Sequence, residues 1–260
     1  MSSDLLVDLA DGVLRLTIDR PEVFNALSDT LADELAERLE QAGPDDDVGV
    51  VVVTGSGSAF CAGADISAVD GGDAIDHFDV SALDRANRIV RAVTMLDKPV
   101  VAAVNGVAAG VGCSIALAAD LAVVAESATF LLAFTRIGLM PDGGSTATVA
   151  ASIGRARAMR MALLAEPLTA ADALDAGLVG QVVPDTDLAD AVDAVVRRVA
   201  AGPPLAFAAT KKAVNAATLS GLEAALERER SGQTVLLRTA DAAEGMRAFS
   251  EKRRPRFTGE

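Results

Sequence analysis

The stretch NGVAAGVGCS, residues 105–114, decides the fold of this chain, together with FCAGADI, residues 60–66, upstream. Each is a loop of small residues that follows a β-branched run, at residues 50–54 and 100–104. Glycine and alanine carry so little bulk that another molecule can approach the main chain closely. Two such loops side by side can aim two backbone N–H groups at one oxygen atom. The sequence therefore predicts an oxyanion hole between two strand-following loops.

The composition favours a cytoplasmic globular protein with no nucleic-acid or membrane partner. The chain has 260 residues, of which 51% are hydrophobic, and a formal net charge of −14. That charge disfavours non-specific binding to nucleic acids and anionic membranes. We expect no secretory signal, because the first residues lack a basic segment, and no membrane-spanning run. Cys61 and Cys113 are expected to be reduced packing residues, and His77, the single histidine, is assigned no role.

The hydrophobic pattern predicts an α/β fold built as a spiral of ββα units. Valine-rich strands recur about 50 residues apart, which is typical of stacked repeats. An ordinary doubly wound sheet is the alternative, although the glycine spacing does not fit a dinucleotide-binding fingerprint. The predicted strands are 13–18, 48–54, 100–104, 121–124 and 178–183. The predicted helices are 29–43, capped by Ser28, then 81–95, 112–119, 205–217, 222–239 and 242–251, and residues 69–79 are expected to form a polar loop.

A boundary is predicted at Pro203-Pro204. It divides the chain into a spiral core, residues 1–202, and a C-terminal helical subdomain, residues 203–260. Proline pairs interrupt regular structure, and the segment beyond this one has helical periodicity throughout.

Three further motifs extend the pattern over the chain: RPEVFNAL at 20–27, IGLMPDGG at 137–144 and EGMRAFSEKR at 244–253. With the two loops, and in this order, the sequence resembles the crotonase (enoyl-CoA hydratase/isomerase) superfamily. The resemblance implies a crotonase fold, an acyl-CoA thioester as substrate and no separate cofactor or metal. It also implies a homotrimer or a dimer of trimers, assembled through the C-terminal helices.

The resemblance assigns the catalytic groups. The oxyanion-hole donors correspond to the backbone N–H groups of Ala64 and Val111, where most relatives have glycine at the second position. Hydratases of the family carry two glutamates, and the corresponding residues here are Ser114 and Phe134. Neither can act as a base, so ordinary hydratase chemistry is not expected. Asp142 remains, at the position where one branch of isomerases has its single catalytic carboxylate; taken alone, Pro-Asp-Gly is a common turn sequence.

Coenzyme A binding is likewise assigned by resemblance. Val23 corresponds to a residue beside the pantetheine, and Phe249 and Lys252 to residues that reach the nucleotide, although core packing is the alternative for Phe249. The basic run at 252–256 holds four cations in five residues and is either a solvated tail or a phosphate contact. The other assigned contacts on the coenzyme arm are Ala62, Ala64, Asp65 and Ile66.

These observations predict an enoyl-CoA isomerase that moves a double bond by proton transfer through Asp142. A hydratase with atypical acid–base residues, a non-catalytic acyl-CoA-binding protein and an isomerase of a ring-derived thioester remain alternatives. A second carboxylate could enter from the 69–79 loop, which contains Asp70, Asp73, Asp76 and Asp79.

Overall fold

The computed structural model describes residues 4–66 and 80–260. The predicted polar loop at 69–79, with its four aspartates, lies outside these residues. In the described part of the chain, no helix is both long enough and apolar enough to cross a membrane.

Two sheets form the framework of the described residues. Their strands are β1 (Leu5–Ala10), β2 (Val13–Ile18), β3 (Val50–Gly55), β4 (Ala59–Cys61), β5 (Val100–Val104), β6 (Val107–Ala109), β7 (Leu121–Ala125), β8 (Thr129–Leu131), β9 (Leu168–Thr169) and β10 (Gln181–Val183). The larger sheet has six strands in the order β1-β2-β3-β5-β7-β10, and all neighbours except β1 and β2 are parallel. The smaller sheet has four strands in the order β4-β6-β8-β9.

Successive strand pairs build the spiral that the sequence predicts. β3, β5 and β7 lie side by side in the larger sheet, and β4, β6 and β8 lie in the same order in the smaller one. Each repeat therefore adds one strand to each sheet before its helix begins. A doubly wound sheet would place all of these strands in one layer, so that alternative is wrong and the crotonase-like spiral is confirmed.

The helices of the described residues are α1 (Asp29–Ala42), α2 (Ser81–Met95), α3 (Val111–Ala118), α4 (Ser145–Leu164), α5 (Ala170–Ala176), α6 (Leu188–Ala200), α7 (Pro204–Thr218), α8 (Leu222–Leu236) and α9 (Ala240–Ser250). Six of them lie close to their predicted bounds, whereas no bounds are predicted for α4, α5 and α6. Ser28 caps α1 as predicted, with its hydroxyl accepting a bond from the Leu31 N–H at 3.3 Å.

The valine-rich strands are apolar along their whole length because both of their faces are covered. Val51 and Val53 point into the main core with α1 and α2, whereas Val50 and Val52 pack against Val192 and Val196 of α6 on the other face. Parallel strands buried on both sides lack alternation for this reason.

One predicted strand is shorter than expected. Residues 178–183 were expected to be extended throughout, but β10 begins only at Gln181. Leu178 and Val179 are buried, yet they follow the left-handed Gly177 that ends α5, and their N–H groups bond back to the Ala173 carbonyl. An apolar helix-terminating turn produces the same local pattern as a strand.

Candidate active site

The two glycine-rich loops are in close backbone contact. The backbone at Gly112 passes so close to the upstream loop that a Cβ there would lie 2.3 Å from the Cys61 carbonyl oxygen. A Cβ on Gly63 would lie 3.6 Å from the amide nitrogen of Val111. Since Ala64 directly follows Gly63, the two predicted donor segments are neighbours in space.

The amides of Ala64 and Val111 are left outside the regular hydrogen-bond ladders. Leu27 forms a parallel bridge with Ala64 in which the Leu27 N–H binds the Gly63 carbonyl and the Asp65 N–H binds the Leu27 carbonyl. This pattern turns the Ala64 N–H away from the bridge. Val111 is the first residue of α3, so its N–H has no acceptor within the helix. Both groups can therefore serve an external oxygen.

Four of the residues assigned to the coenzyme lie along this same edge. The Ala62 N–H binds the Phe24 carbonyl at 3.0 Å, which places half-buried Val23 beside the 62–66 stretch. Asp65 forms an ion pair at 2.9 Å with Arg20, the first residue of the RPEVFNAL motif. This contact joins the 62–66 stretch to that motif. Ile66 is half-buried and ends the described part of this loop.

Asp142 is buried, and its two carboxylate oxygens have different surroundings. Oδ2 accepts a bond from Nε2 of Gln233 at 2.9 Å, whereas Oδ1 has no hydrogen-bond partner within the described residues. Burial raises the pKa of Asp142 to about 7, the Gln233 bond acts against this rise, and the charge of Glu229 adds to it. A carboxylate with a pKa near neutrality is suited to accept and return a proton.

The main chain at Asp142 is held by two serines. Its carbonyl oxygen accepts bonds from the hydroxyls of Ser114 and Ser145, both at 2.8 Å. Gly143 and Gly144 follow with φ of 61° and 75°, and α4 begins at the next residue. Ser114 and Ser145 thus fix the turn that carries Asp142.

Two apolar side chains lie close to the Asp142 turn and the downstream loop. A Cβ on Gly143 would lie 3.5 Å from Cγ2 of Val111, and one on Gly110 would lie 4.0 Å from Cζ of Phe134. Val111 is therefore beside the glycine that follows Asp142, and Phe134, which is nearly fully buried, is beside Gly110. Neither side chain can act as an acid or base.

Two residues that sequence analysis missed complete the site. Gln233 and Glu229 lie one turn apart on α8 and contact the 140–146 segment. Glu229 is buried and accepts bonds from the N–H groups of Gly144, at 2.7 Å, and Thr146, at 3.0 Å. The i, i+4 spacing of two polar residues is a weak signal, because such pairs usually lie on a solvated helix face.

Phe249 and Lys252 do not join this group within the described chain. Both are exposed at the C-terminal end of α9, and the side chain of Phe249 is 63% exposed, so the core-packing alternative is wrong. In the basic run, Arg253 donates to Glu244 at 2.6 and 2.8 Å and lowers the pKa of that carboxyl to about 2. Arg253 is thus engaged in an ion pair, while Lys252 remains exposed.

The two cysteines behave as packing residues, as predicted. Both are buried free thiols, and burial raises the pKa of each to about 12. A thiol with such a pKa is not a nucleophile at neutral pH. The described residues also contain no cluster of three or more side chains of the kinds that bind metal ions.

Comparison with known proteins identifies the family. The family model for enoyl-CoA hydratase/isomerase matches residues 8–260. The chain belongs to the enoyl-CoA hydratase/isomerase family. A solved enoyl-CoA hydratase from Mycobacterium avium subsp. paratuberculosis is 48% identical and superposes with a TM-score of 0.91, covering 98% of this chain and 99% of that one. The predicted superfamily and fold are therefore confirmed.

Curated members of the family differ in the reaction that their names give. The 1,2-epoxyphenylacetyl-CoA isomerase of Escherichia coli is 40% identical over 100% of both chains. A probable enoyl-CoA hydratase of Rhodobacter capsulatus is 43% identical over 97% of this chain and 96% of its own. Membership of the enoyl-CoA hydratase/isomerase family thus leaves both reactions open.

Proposed function

We propose that this chain isomerises the double bond of an enoyl-CoA thioester, with Asp142 as its single acid–base side chain. The observation that carries the proposal is the buried Asp142 carboxylate, whose Oδ1 has no partner in the described structure. A proton-transferring atom has to be free in the absence of substrate. The raised pKa, about 7, gives this carboxylate a basicity suited to the task.

The proposed reaction needs one base and an oxyanion hole. Asp142 removes a proton from C2 of a 3-enoyl thioester, and the electron pair moves onto the thioester oxygen to form a dienolate. The N–H groups of Ala64 and Val111 donate to that oxygen. Asp142 then returns the same proton to C4, which leaves the 2-enoyl product and the original carboxylate.

The surroundings of Asp142 disfavour addition of water. Ser114 donates its hydroxyl proton to the Asp142 carbonyl, and Phe134 is apolar. Glu229 is buried near the site, but its oxygens accept bonds from Gly144 and Thr146. No second free carboxylate lies beside Asp142 in the described residues to orient an attacking water.

The 40% identity to an Escherichia coli isomerase named for 1,2-epoxyphenylacetyl-CoA supports isomerisation of a CoA thioester as the reaction class. That named substrate is a ring epoxide, so a ring-derived thioester is an alternative substrate to an enoyl-CoA. A hydratase is the second candidate, because the probable hydratase of Rhodobacter capsulatus is 43% identical. A hydratase reaction would use Asp142 with a water molecule, and we expect it to be slow.

We further propose that Val23, Ala62, Asp65 and Ile66 line the coenzyme arm. We also propose that Ala64, Phe249 and Lys252 contact the bound coenzyme.

The test of the proposal is Asp142→Asn, with Asp46→Asn as an exposed control. We expect Asp142→Asn to lower turnover of a 3-enoyl-CoA by about 10²–10⁴-fold, as for loss of a general base. Acyl-CoA affinity measured by calorimetry should remain unchanged, because the coenzyme contacts lie elsewhere. Full turnover by Asp142→Asn would contradict the proposal.

The assembly and location predicted from the sequence stay predictions. We propose a homotrimer or dimer of trimers, formed through the C-terminal helices, in the cytoplasm. Exposed Leu205 and Val214 on α7 are consistent with such an interface. Sedimentation of the full chain would measure the oligomeric state.

A further inference from the structure

We propose that Gln233 is a positioning residue that holds Oδ2 of Asp142 and leaves Oδ1 as the only atom that transfers the proton. This inference rests on the proposed function, because it assumes that Asp142 is the base. Gln233 contributes no chemistry of its own. It lies in the C-terminal helical segment, for which the sequence predicts assembly and coenzyme contacts by Phe249 and Lys252 but no role at Asp142.

The hydrogen bonds of Gln233 fix the orientation of its amide. Oε1 accepts the Met140 N–H at 3.1 Å, so Nε2 must face Asp142, where it donates to Oδ2 at 2.9 Å. The side chain is 1% exposed. A side-chain amide has an oxygen that accepts and an NH₂ group that donates. Here the oxygen binds Met140 and the NH₂ group binds Asp142. A carboxylate of the same length can satisfy Met140 but cannot donate to Asp142 when ionised.

Other residues on the same face of α8 fix the position of Gln233 relative to the Asp142 segment. Glu229, one turn earlier, binds the start of α4 through the Gly144 and Thr146 N–H groups. Between them, Gly232 packs so closely that a Cβ there would lie 2.4 Å from Sδ of Met140. Three residues of one helix face therefore contact the segment that carries Asp142, and one of them, Gln233, binds the carboxylate itself.

The charged side chain that acts on Asp142 in this arrangement is Glu229, which lies on the same helix as Gln233. The side chains that face Asp142 from α3 and α4 are Ser114 and Ser145, which are neutral. Burial and Glu229 both favour the protonated acid, and the Gln233 donor favours the ionised base. Removing that donor should therefore leave more of Asp142 protonated, and inactive as a base, at neutral pH.

The test compares Gln233→Met and Gln233→Glu with wild type, and uses Gln41→Met, at an exposed position of α1, as the matched control. Methionine keeps the length and loses both bonds, whereas glutamate keeps the bond from Met140. We expect the rising limb of kcat/KM against pH to move up by about one pH unit in Gln233→Met, the effect of one hydrogen bond to the ionised form. In Gln233→Glu the two carboxyl groups titrate as a coupled pair, and the step at higher pH should lie above the wild-type limb, because the second negative charge opposes ionisation.

A purely structural role would give a different result. Loss of packing lowers the melting temperature and the amount of folded enzyme, but it leaves the position of the pH limb unchanged. Activity of both variants should recover at high pH, while Gln41→Met should match wild type throughout. An unchanged pH limb in folded Gln233→Met would overturn the inference.

A second measurement does not depend on turnover. The ¹³C resonance of the Asp142 carboxylate, assigned by its loss in Asp142→Asn, should titrate at higher pH in Gln233→Met than in wild type. If Asp142→Asn is fully active, the proposed function fails, and this titration still tests the contact with Gln233. If Asp142→Asn is inactive and the Asp142 titration is the same in Gln233→Met and wild type, only the role of Gln233 is contradicted.

Discussion

At the scale of single residues, the buried Asp142 carboxylate lowers the stability of the folded protein at neutral pH. Its pKa rises from 3.8 in the unfolded chain to about 7, chiefly through burial. A group whose pKa is raised on folding contributes most to stability below its unfolded pKa. That contribution declines as the pH rises from about 4 to 7, because the unfolded chain ionises first. The protein therefore gives up stability to keep a base of useful strength.

Asp142→Asn removes this penalty, so the variant should gain stability relative to wild type as the pH rises. We expect the difference in unfolding free energy between variant and wild type to be roughly 2–3 kcal/mol more favourable at pH 8 than at pH 5. Denaturant unfolding at the two pH values measures it, and comparing them cancels costs that do not depend on pH. Asp46→Asn should show no such change. A difference independent of pH would mean that Asp142 is ionised in the folded protein at both pH values.

The sequence was sufficient to single out Asp142 but not its partners. The IGLMPDGG motif marks the aspartate, and small residues mark the loops of Ala64 and Val111. Gln233 is 91 positions away from Asp142, on a helix whose local pattern is ordinary. Its role depends on how α8 packs onto the turn, which no local feature of the sequence encodes.

At the scale of elements, α8 acts as a cap for α4. The first N–H groups of a helix lack acceptors within it, and α4 has glycine, which carries no side-chain acceptor, at its N-cap. Glu229 supplies the acceptor from another helix and also places a negative charge at the positive end of the α4 dipole. Burial raises the pKa of Glu229, while its bonds to Thr146 and Gly144 oppose the rise.

Glu229→Ala should destabilise the protein by about 1–3 kcal/mol, because it leaves the buried Gly144 N–H without an acceptor. Turnover should also fall, since the Asp142 turn loses its support. Glu227→Ala, at an exposed position of the same helix, is the control and should change stability by no more than about 0.5 kcal/mol. Denaturant unfolding of both variants measures the difference. Equal effects of the two substitutions would contradict the capping role.

Element types were predictable from the sequence, whereas some boundaries were not. The helical periodicity of residues 81–95 gave α2 its bounds, and Ser28 marked the start of α1. The extended run predicted at 178–183 was too long, because a left-handed glycine turn and a short strand share the same apolar composition. Tertiary hydrogen bonds decided which backbone conformation formed there.

At the scale of the whole molecule, a partly buried ion pair joins α7 to the core. Lys211 donates to Asp120 at 2.7 Å and also to the carbonyls of Val93, at 2.7 Å, and Lys98, at 3.3 Å. The lysine side chain is 8% exposed and the aspartate side chain 20%. Burial lowers the pKa of Lys211 and raises that of Asp120, and each partner opposes the shift of the other. The pair is satisfied only while α7 is docked.

Lys211→Met should cost about 1–3 kcal/mol of unfolding free energy, because it leaves the partly buried Asp120 carboxylate without its cation. Adding Asp120→Asn should recover part of that loss, as the uncompensated charge is then removed. The neighbouring pair of Lys212 and Asp97 is exposed, so Lys212→Met should cost at most about 1 kcal/mol. Denaturant unfolding of the three variants tests this. No recovery in the double variant would contradict the pairing argument.

The sequence predicted the spiral architecture, and the solved relative with a TM-score of 0.91 bears it out. Its motifs keep their order along the chain, and the strand pairs follow that order in both sheets. The contacts of α8 with the Asp142 turn were not predictable, because they arise from packing between segments far apart in sequence. The predicted boundary at Pro203-Pro204 coincides with the start of α7, but Gln233 and Glu229 act across it.

The most direct test of the central claim is product analysis with two substrates. The purified protein would be given a 3-enoyl-CoA and, separately, a 2-enoyl-CoA, and the products followed by chromatography and mass. We predict conversion of the first to the 2-enoyl isomer without a change in mass, and little addition of water to the second. Water addition as the main reaction would contradict the single-carboxylate isomerase and favour a hydratase. Binding of both thioesters without turnover would contradict catalysis and favour an acyl-CoA-binding protein.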